Sequence, residues 1–584
     1  MPTLIGIFLI TLPLIVVAGN DDMASLPQTI WLQVAVPLLL TIWLVGGKAS
    51  PLPVARAFVP FVALLLWSAA STLWAVDTFA SERVLFRWMA GLGLAFLIAN
   101  TTASAANARK VLMALFWASV AVAAIGLLQH LGGWEGIPQA FPPAGTMGNK
   151  NVAAGFIATM APIGFAALLT ARAAAPAFAI SLAMALAFVL HTGCRAAILA
   201  LLAQLVVGLW LIPMRTVTSR LSPKRVALCA GAIGFLWLGT MAPSASSSIH
   251  GEPGELLVGT ARPVLQFLTG APALVAPTAP GELPQDEGAD RSVSLRLAIW
   301  RNSLEMIRSA PVAGVGLGNF SVHYPQFARS GGADGTRIDE RVESAHNDYV
   351  QFIAELGLVG AGLLGWIMFL TARAMALALR AAPAEERGLY MASAFGLLAL
   401  GVLAAVSPTV NQPVALAAAA TFVGVTLGPG SADRRLNVAE TARTEEKPIY
   451  RSILLTGALA ALVGASAWGF AQIRADRHVL TMASAEARGD WPAVVREGLI
   501  ARRLSRARTD PRFATASAML RLGQAKEAAE MLEELVRADP YNANALGNLG
   551  IAYTALGDLQ RAATCFERVL RLRPDDRFAG AALK

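Results

Sequence analysis

Charge is scarce in this chain. Asp, Glu, Lys and Arg make up 15% of its 584 residues, where a soluble globular chain carries about a quarter. That shortage excludes an ordinary soluble protein of this length. The net charge of +9 does not indicate a nucleic-acid partner. Its Lys and Arg residues fall in short clusters between apolar runs, as membrane topology dictates. Cysteine is nearly absent. Cys194, Cys229 and Cys565 are odd in number, far apart and without metal spacing, which excludes a disulfide framework. No Walker-type or Rossmann-type glycine loop occurs, so a nucleotide site is not expected.

What fills the chain is apolar sequence: 55% of the residues are hydrophobic and mean hydropathy is +0.56. The excess comes in runs of about 20 residues, the length that crosses about 30 Å of hydrocarbon. Thirteen spans are predicted, at 3–19, 29–46, 57–76, 84–100, 110–131, 152–171, 175–191, 195–212, 226–243, 349–370, 389–406, 411–428 and 452–472. The first lacks a basic leader and more spans follow it, so it reads as a retained helix and not a signal peptide. With the N-terminus cytoplasmic, every second loop is basic. Those loops hold Lys48 and Arg56; Arg109 and Lys110; Arg172; Arg215 to Arg225; Arg373 to Arg387; and Arg434 to Lys447. The opposite loops are poorer in Lys and Arg, and the first, Asn20-Asp21-Asp22, is acidic. The alternation runs unbroken and puts the C-terminal tail across the membrane from the N-terminus.

Two polar segments are long. Residues 242–345 begin rich in Pro, Gly, Ser and Ala, and end in a helix whose Val293, Leu297, Trp300, Leu304 and Ile307 form one apolar stripe. Pro311 and Gly314 stop it. The second segment, 474–584, is helical in pattern and repetitive. Leu549, Gly550, Tyr553, Gly557, Ala562, Phe566 and Pro574 fit the 34-residue tetratricopeptide pattern. Gly523, Ala528 and Pro540 lie one period earlier, and Gly489 a period before Gly523. The fold expected is all-α: a membrane domain over 1–472 with a large outer loop at 242–345, then a repeat domain over 474–584.

The unusual polar residues gather on the side opposite the N-terminus. Gly145-Thr146-Met147-Gly148-Asn149-Lys150-Asn151 leads directly into a span. Its glycines allow a tight turn with free N–H groups, and Lys150 adds a cation at a helix N-terminus, which suits an anion. The plainer reading is a glycine-rich turn with a snorkelling lysine. Arg195 opens the next outward-facing span after His191-Thr192-Gly193-Cys194; it either snorkels or faces a polar cavity. Arg83 and Arg87 sit at another span entrance. On the loop helix, Arg296 and Arg301 flank the stripe, where their forks suit pyrophosphate oxygens; a solvated amphipathic helix would carry such charges too. His346, followed by Asn347, falls at the membrane edge. A histidine there is commonly an interfacial hydrogen-bonding residue, but near several arginines it stays neutral and suits a general base.

These segments resemble the O-antigen ligase family. The resemblance rests on His346-Asn347 followed by Gly357-Leu358-Val359-Gly360, on Gly145 to Gly155, on Thr192-Gly193-Cys194-Arg195-Ala196-Ala197, and on Trp300 through Pro311-Val312-Ala313-Gly314-Val315-Gly316. It covers about residues 60–430 and departs at Cys194, where serine is expected before the arginine. It implies a GT-C-like membrane fold in a bacterial inner membrane, with the loop and tail periplasmic. It also implies transfer of glycan from undecaprenyl pyrophosphate to an acceptor hydroxyl, with His346 as base and Arg195 and Arg296 as pyrophosphate ligands. Arg301, Lys150, Asn347 and Arg87 join as substrate-binding candidates by position. No Asp-rich metal motif lies on that side, so no metal or other cofactor is expected.

The acceptor is open between lipid A core, as in ligases; a growing glycan, as in polymerases; and protein, as in O-oligosaccharyltransferases. The repeat tail suggests a peptide or assembly partner by analogy with other such arrays. A transporter or flippase is the competing class, and it would show internal repeats and ionisable residues inside the spans. Neither is found, and the charges gather at one face. A mere membrane anchor would not need thirteen spans.

Overall fold

The computed structural model describes residues 1–46, 58–102, 104–134, 136–137, 142–170, 174–211, 287–328, 342–428, 448–505 and 510–584. The expected span at 226–243, with Cys229, lies outside these residues, as do the first half of the long loop and the basic loop 429–447.

The described membrane helices are α1 Pro2–Thr11, α2 Ser25–Gly46, α3 Val59–Ser71, α4 Thr78–Thr101, α5 Ala105–Gly132, α6 Lys150–Thr170, α7 Ala175–Thr192 and α8 Arg195–Leu211. After the loop helix α9 Glu287–Ser309 and the short α10 Phe320–His323 come α11 Asp348–Ala381, α12 Arg387–Val406, α13 Pro413–Leu427 and α14 Pro448–Ala487. Among the described residues, eight helices are long and apolar enough to cross a membrane; four more, α1, α3, α8 and α13, are apolar but shorter.

Local chemistry sets the helix ends. Asp77 caps α4 by accepting the Ala80 amide. Ser104 caps α5 by accepting the Asn107 amide, and Gly133 ends that helix in the left-handed conformation. Inside the bundle, glycines receive large side chains: Gly126 faces Phe188, Gly164 faces Phe116, and Gly396 faces Phe422. A methyl group at any of them would collide with the ring. Small residues that admit a close neighbour are how membrane helices pack without a hydrophobic drive between them.

The tail is built of helix pairs, as the 34-residue period predicts. The outer end of α14 pairs with α15 Trp491–Leu504, α16 Asp510–Arg521 with α17 Ala525–Ala538, and α18 Ala543–Ala555 with α19 Leu559–Leu572, before the closing α20 Arg577–Ala582. Gly489, Gly523 and Gly557 turn each pair with φ of 72°, 77° and 79°. Gly550 faces the Phe566 ring, which explains why both belong to the pattern. The expected boundary at residue 474 falls within α14, whose helix continues unbroken from membrane bundle to repeat array. Val479, Met482 and Ala485 of that helix pack with Ala493, Val494, Ala501 and Ala518 of the array.

The array rests on the membrane domain. His323 and Tyr541 face each other with ring centroids 5.7 Å apart. Arg512 feels the charge of Asp77. Asp22, in the α1–α2 turn, donates its amide to Asp476 at 3.1 Å.

Candidate active site

The site is assembled from three helix N-termini and one loop helix. Asn149 accepts the Asn151 amide at 2.8 Å, so α6 starts at Lys150. Gly193 closes α7 with φ of 59°, and Thr192 accepts the Cys194 amide at 3.3 Å; α8 then starts at Arg195. Asn347 caps α11, its Oδ1 accepting the amides of Tyr349 and Val350 at 3.0 and 3.1 Å. The caps take up first-turn amides at these ends, so what remains for an anion is the helix dipole and the side-chain cations.

The charges at these ends act on one another and on Arg296 of α9. Arg296 is electrostatically coupled to Cys194 and Arg195, Cys194 to Lys150 and Arg296, and His346 to Arg296. Lys150, Arg195, Arg296 and His346 are all half-buried. Burial pulls the Arg296 guanidinium below its usual range, and Arg195 adds repulsion. Burial, then the Arg296 charge, holds the His346 imidazole below the ordinary histidine value, which favours the neutral form a base needs. Cys194, where serine was expected, is buried and free. Burial pushes its thiol up, against the pull of the Ala197 and Ala196 amides and the two cations.

The other candidates stand differently. Asn347 is engaged as a helix cap. Arg301 is exposed, a turn away from Arg296. The apolar stripe of α9 is also displaced from the expected one. Ile299 and Met306 are buried, while Leu304 is 47% exposed, because the helix packs on Val315, Phe320, Tyr324, Ala345 and Ala354. Arg87 donates to the Asn411 carbonyl, in the loop between α12 and α13. That loop is pinned to α11 from the other side, where Asp348 Oδ2 accepts the Thr409 and Val410 amides at 2.7 and 2.8 Å. The Gly145 amide is not free for an anion, since it donates to Gln129 at 2.8 Å. Gly145 is required because a side chain there would strike the Val122 carbonyl.

Next to Asn151 lies a narrow cleft between α6, α12 and α13, lined by Phe156, Leu400, Leu403, Val414, Thr409 and Gln412. Its lining is mostly apolar, and Asn151 follows Lys150 directly in the chain.

Sequence reasoning missed the support under this site. Pro311 to Asn319 runs along a break in α11, where Gly357 has φ of 65° and ψ of −166°. Val315 and Gly316 donate to the Ala354 and Glu355 carbonyls, and Leu358 and Val359 donate to those of Pro311 and Val312. Glu355, 5% exposed, lies two turns into α11. Sequence reasoning gave Glu355 no role, and an acidic residue inside an apolar run was the signal available.

Residues 178–365 match the family model described as O-antigen ligase, a stretch that contains Arg195, Arg296, Arg301, His346 and Asn347. Residues 519–584 match the tetratricopeptide repeat model. No curated protein matches the chain. The chain carries an O-antigen ligase domain within a multi-pass helical bundle, followed by a tetratricopeptide repeat tail.

Proposed function

We propose that the protein is a membrane glycosyltransferase of the O-antigen ligase type, moving glycan from undecaprenyl pyrophosphate to an acceptor hydroxyl on the periplasmic face of the inner membrane. The observation that carries this is the gathering of charge around Arg296 on α9: Arg195 and Cys194 act on it, it acts on His346, and Lys150 acts on Cys194. A polyprenyl pyrophosphate leaves readily once its charge is neutralised, so the work left to the protein is to supply cations for the departing oxygens and a base for the nucleophile. Arg195 and Arg296 hold the pyrophosphate, and Lys150 adds charge at the start of α6. The cleft beside Asn151 seats apolar carrier chain. His346 takes the proton of the acceptor hydroxyl. The anomeric carbon sits between base and cations, so attack comes from the face opposite the leaving group, with inversion. Arg301 and Asn347 are not needed for these steps.

His346→Gln keeps a hydrogen bond but accepts no proton at neutral pH. Purified variant and parent are compared with a lipid-pyrophosphate glycan donor. Transfer falls about 10²- to 10⁴-fold with donor binding retained, and near-parental turnover would refute the base role. Arg195→Lys and Arg296→Lys keep charge but lose the fork; normal donor affinity and turnover in both would remove them from the site.

A further inference from the structure

His346 is the one non-glycine residue with positive φ, at 50°, among the described residues. Such a backbone is unfavourable for a residue with a Cβ and persists where its surroundings hold it. The hold is visible on both sides of Ala345, which is fully buried. Its carbonyl accepts from Trp300 Nε1 at 2.8 Å, one turn along α9 from Arg296. Its amide donates to Gln351 Oε1 at 3.2 Å.

Gln351 is itself oriented. Its Nε2 donates to Glu355 Oε1 at 3.0 Å, and Glu355 Oε2 accepts the Gly318 amide at 2.7 Å. A backbone N–H only donates, so the Ala345 amide draws the oxygen of Gln351 to itself and leaves the NH₂ end facing Glu355. The chain of bonds runs from the Gly318 turn through Glu355 and Gln351 to the peptide just before His346. Transfer chemistry does not require these groups. A buried carboxylate in a membrane helix is costly and marks function by default.

We propose that Gln351 and Glu355 are positioning residues that hold His346 in the conformation from which it accepts the acceptor's proton. This rests on the base role given above. Neither residue touches substrate. Their effect passes through the Ala345 peptide, which fixes where the His346 ring stands relative to Arg296 on α9. Stitching of the Gly318 turn to α11 is a separate task of Glu355, whose oxygen accepts the Gly318 amide directly.

The full-length chain in detergent separates the two tasks. Donor KM, kcat and the pH dependence of kcat are measured for the parent, Gln351→Leu, Glu355→Gln and His346→Gln, with thermal stability alongside. Gln351→Leu leaves the Glu355–Gly318 bond in place. Misplacement of a reacting group by about 1 Å can cost about 10²-fold, so kcat is expected to fall about 10- to 100-fold with donor KM within about twofold. The acid limb of kcat moves to higher pH, because a displaced imidazole leaves its buried seat beside Arg296. Glu355→Gln shifts both readouts in the same directions; if it fails to fold, Gln351→Leu decides alone. Parental kcat and limb in Gln351→Leu, with His346→Gln inactive, overturn the positioning role and leave the base intact. Near-parental turnover in His346→Gln overturns the base and this inference together.

Discussion

Replacing Gly357 with alanine should weaken the support under the candidate site, and the size of the loss follows from the contacts. Gly357 has φ of 65° and ψ of −166°, a region open in practice to glycine alone, and a side chain there costs about 1–3 kcal/mol. The new methyl group would also strike the Val312 carbonyl oxygen. The collision cannot be relieved by a rotamer, because backbone is on both sides. The segments must part, and four hydrogen bonds lie across the seam, at 2.8 Å for Leu358 to Pro311, 2.9 Å for Gly316 to Glu355, 3.0 Å for Val315 to Ala354 and 3.3 Å for Val359 to Val312. Losing two of them, at about 0.5–1.5 kcal/mol each, brings the total to about 2–6 kcal/mol. Gly362 is the control, since it lies in the same helix with nothing within 4 Å of an added Cβ; alanine there should be neutral or stabilise by up to about 1 kcal/mol. Thermal denaturation of detergent-purified protein, followed by size-exclusion chromatography, reads the difference. A Gly357→Ala protein that melts with the parent and with Gly362→Ala would refute the argument.

Two further outcomes follow from the same geometry. Arg296→Gln removes a cation that, with burial, holds the His346 imidazole below its ordinary value. The residual activity should then lose its neutral base at a higher pH than the parent does, and an acid limb that does not move in a kcat–pH profile would place Arg296 away from His346. Orientation can be read at Leu559, which is 67% exposed, whereas native Cys565 is only 6% exposed and would resist reagent on either side. Leu559→Cys in an otherwise cysteine-free chain should react with an impermeant maleimide in intact spheroplasts, and protection until lysis would reverse the proposed topology.

Much of this architecture was legible because it is written in periodicity. Apolar runs mark twelve helices that the structure describes. The 34-residue spacing of Gly489, Gly523 and Gly557 marks the turns of the array, since each needs a positive φ. The cationic residues were legible as well, because an arginine or lysine at the start of an apolar span is conspicuous by composition. What stayed hidden depends on tertiary contact. Nothing in the sequence around Glu355 tells that its oxygens bind the Gly318 amide and Gln351. The α9 stripe was misjudged because Leu304 is as apolar as Ile299, and only the surface beneath the helix decides which one turns inward. Arg296 and Arg301 look alike in sequence for the same reason, yet one is half-buried beside Arg195 and the other faces solvent.

The unbroken helix α14, 40 residues long, makes the repeat array a rigid extension of the bundle. Each added residue in an α-helix advances the far end by 1.5 Å and rotates it by about 100°. One residue inserted near the membrane surface would therefore swing the array about a third of a turn and carry Tyr541 away from His323. The length of this helix is thus fixed in two ways at once: an insertion of seven residues, near two full turns, would keep the array's facing but lift it about 10 Å, so Tyr541 would still lose His323. A segment that looks like a simple stalk acts as a gauge of both angle and height.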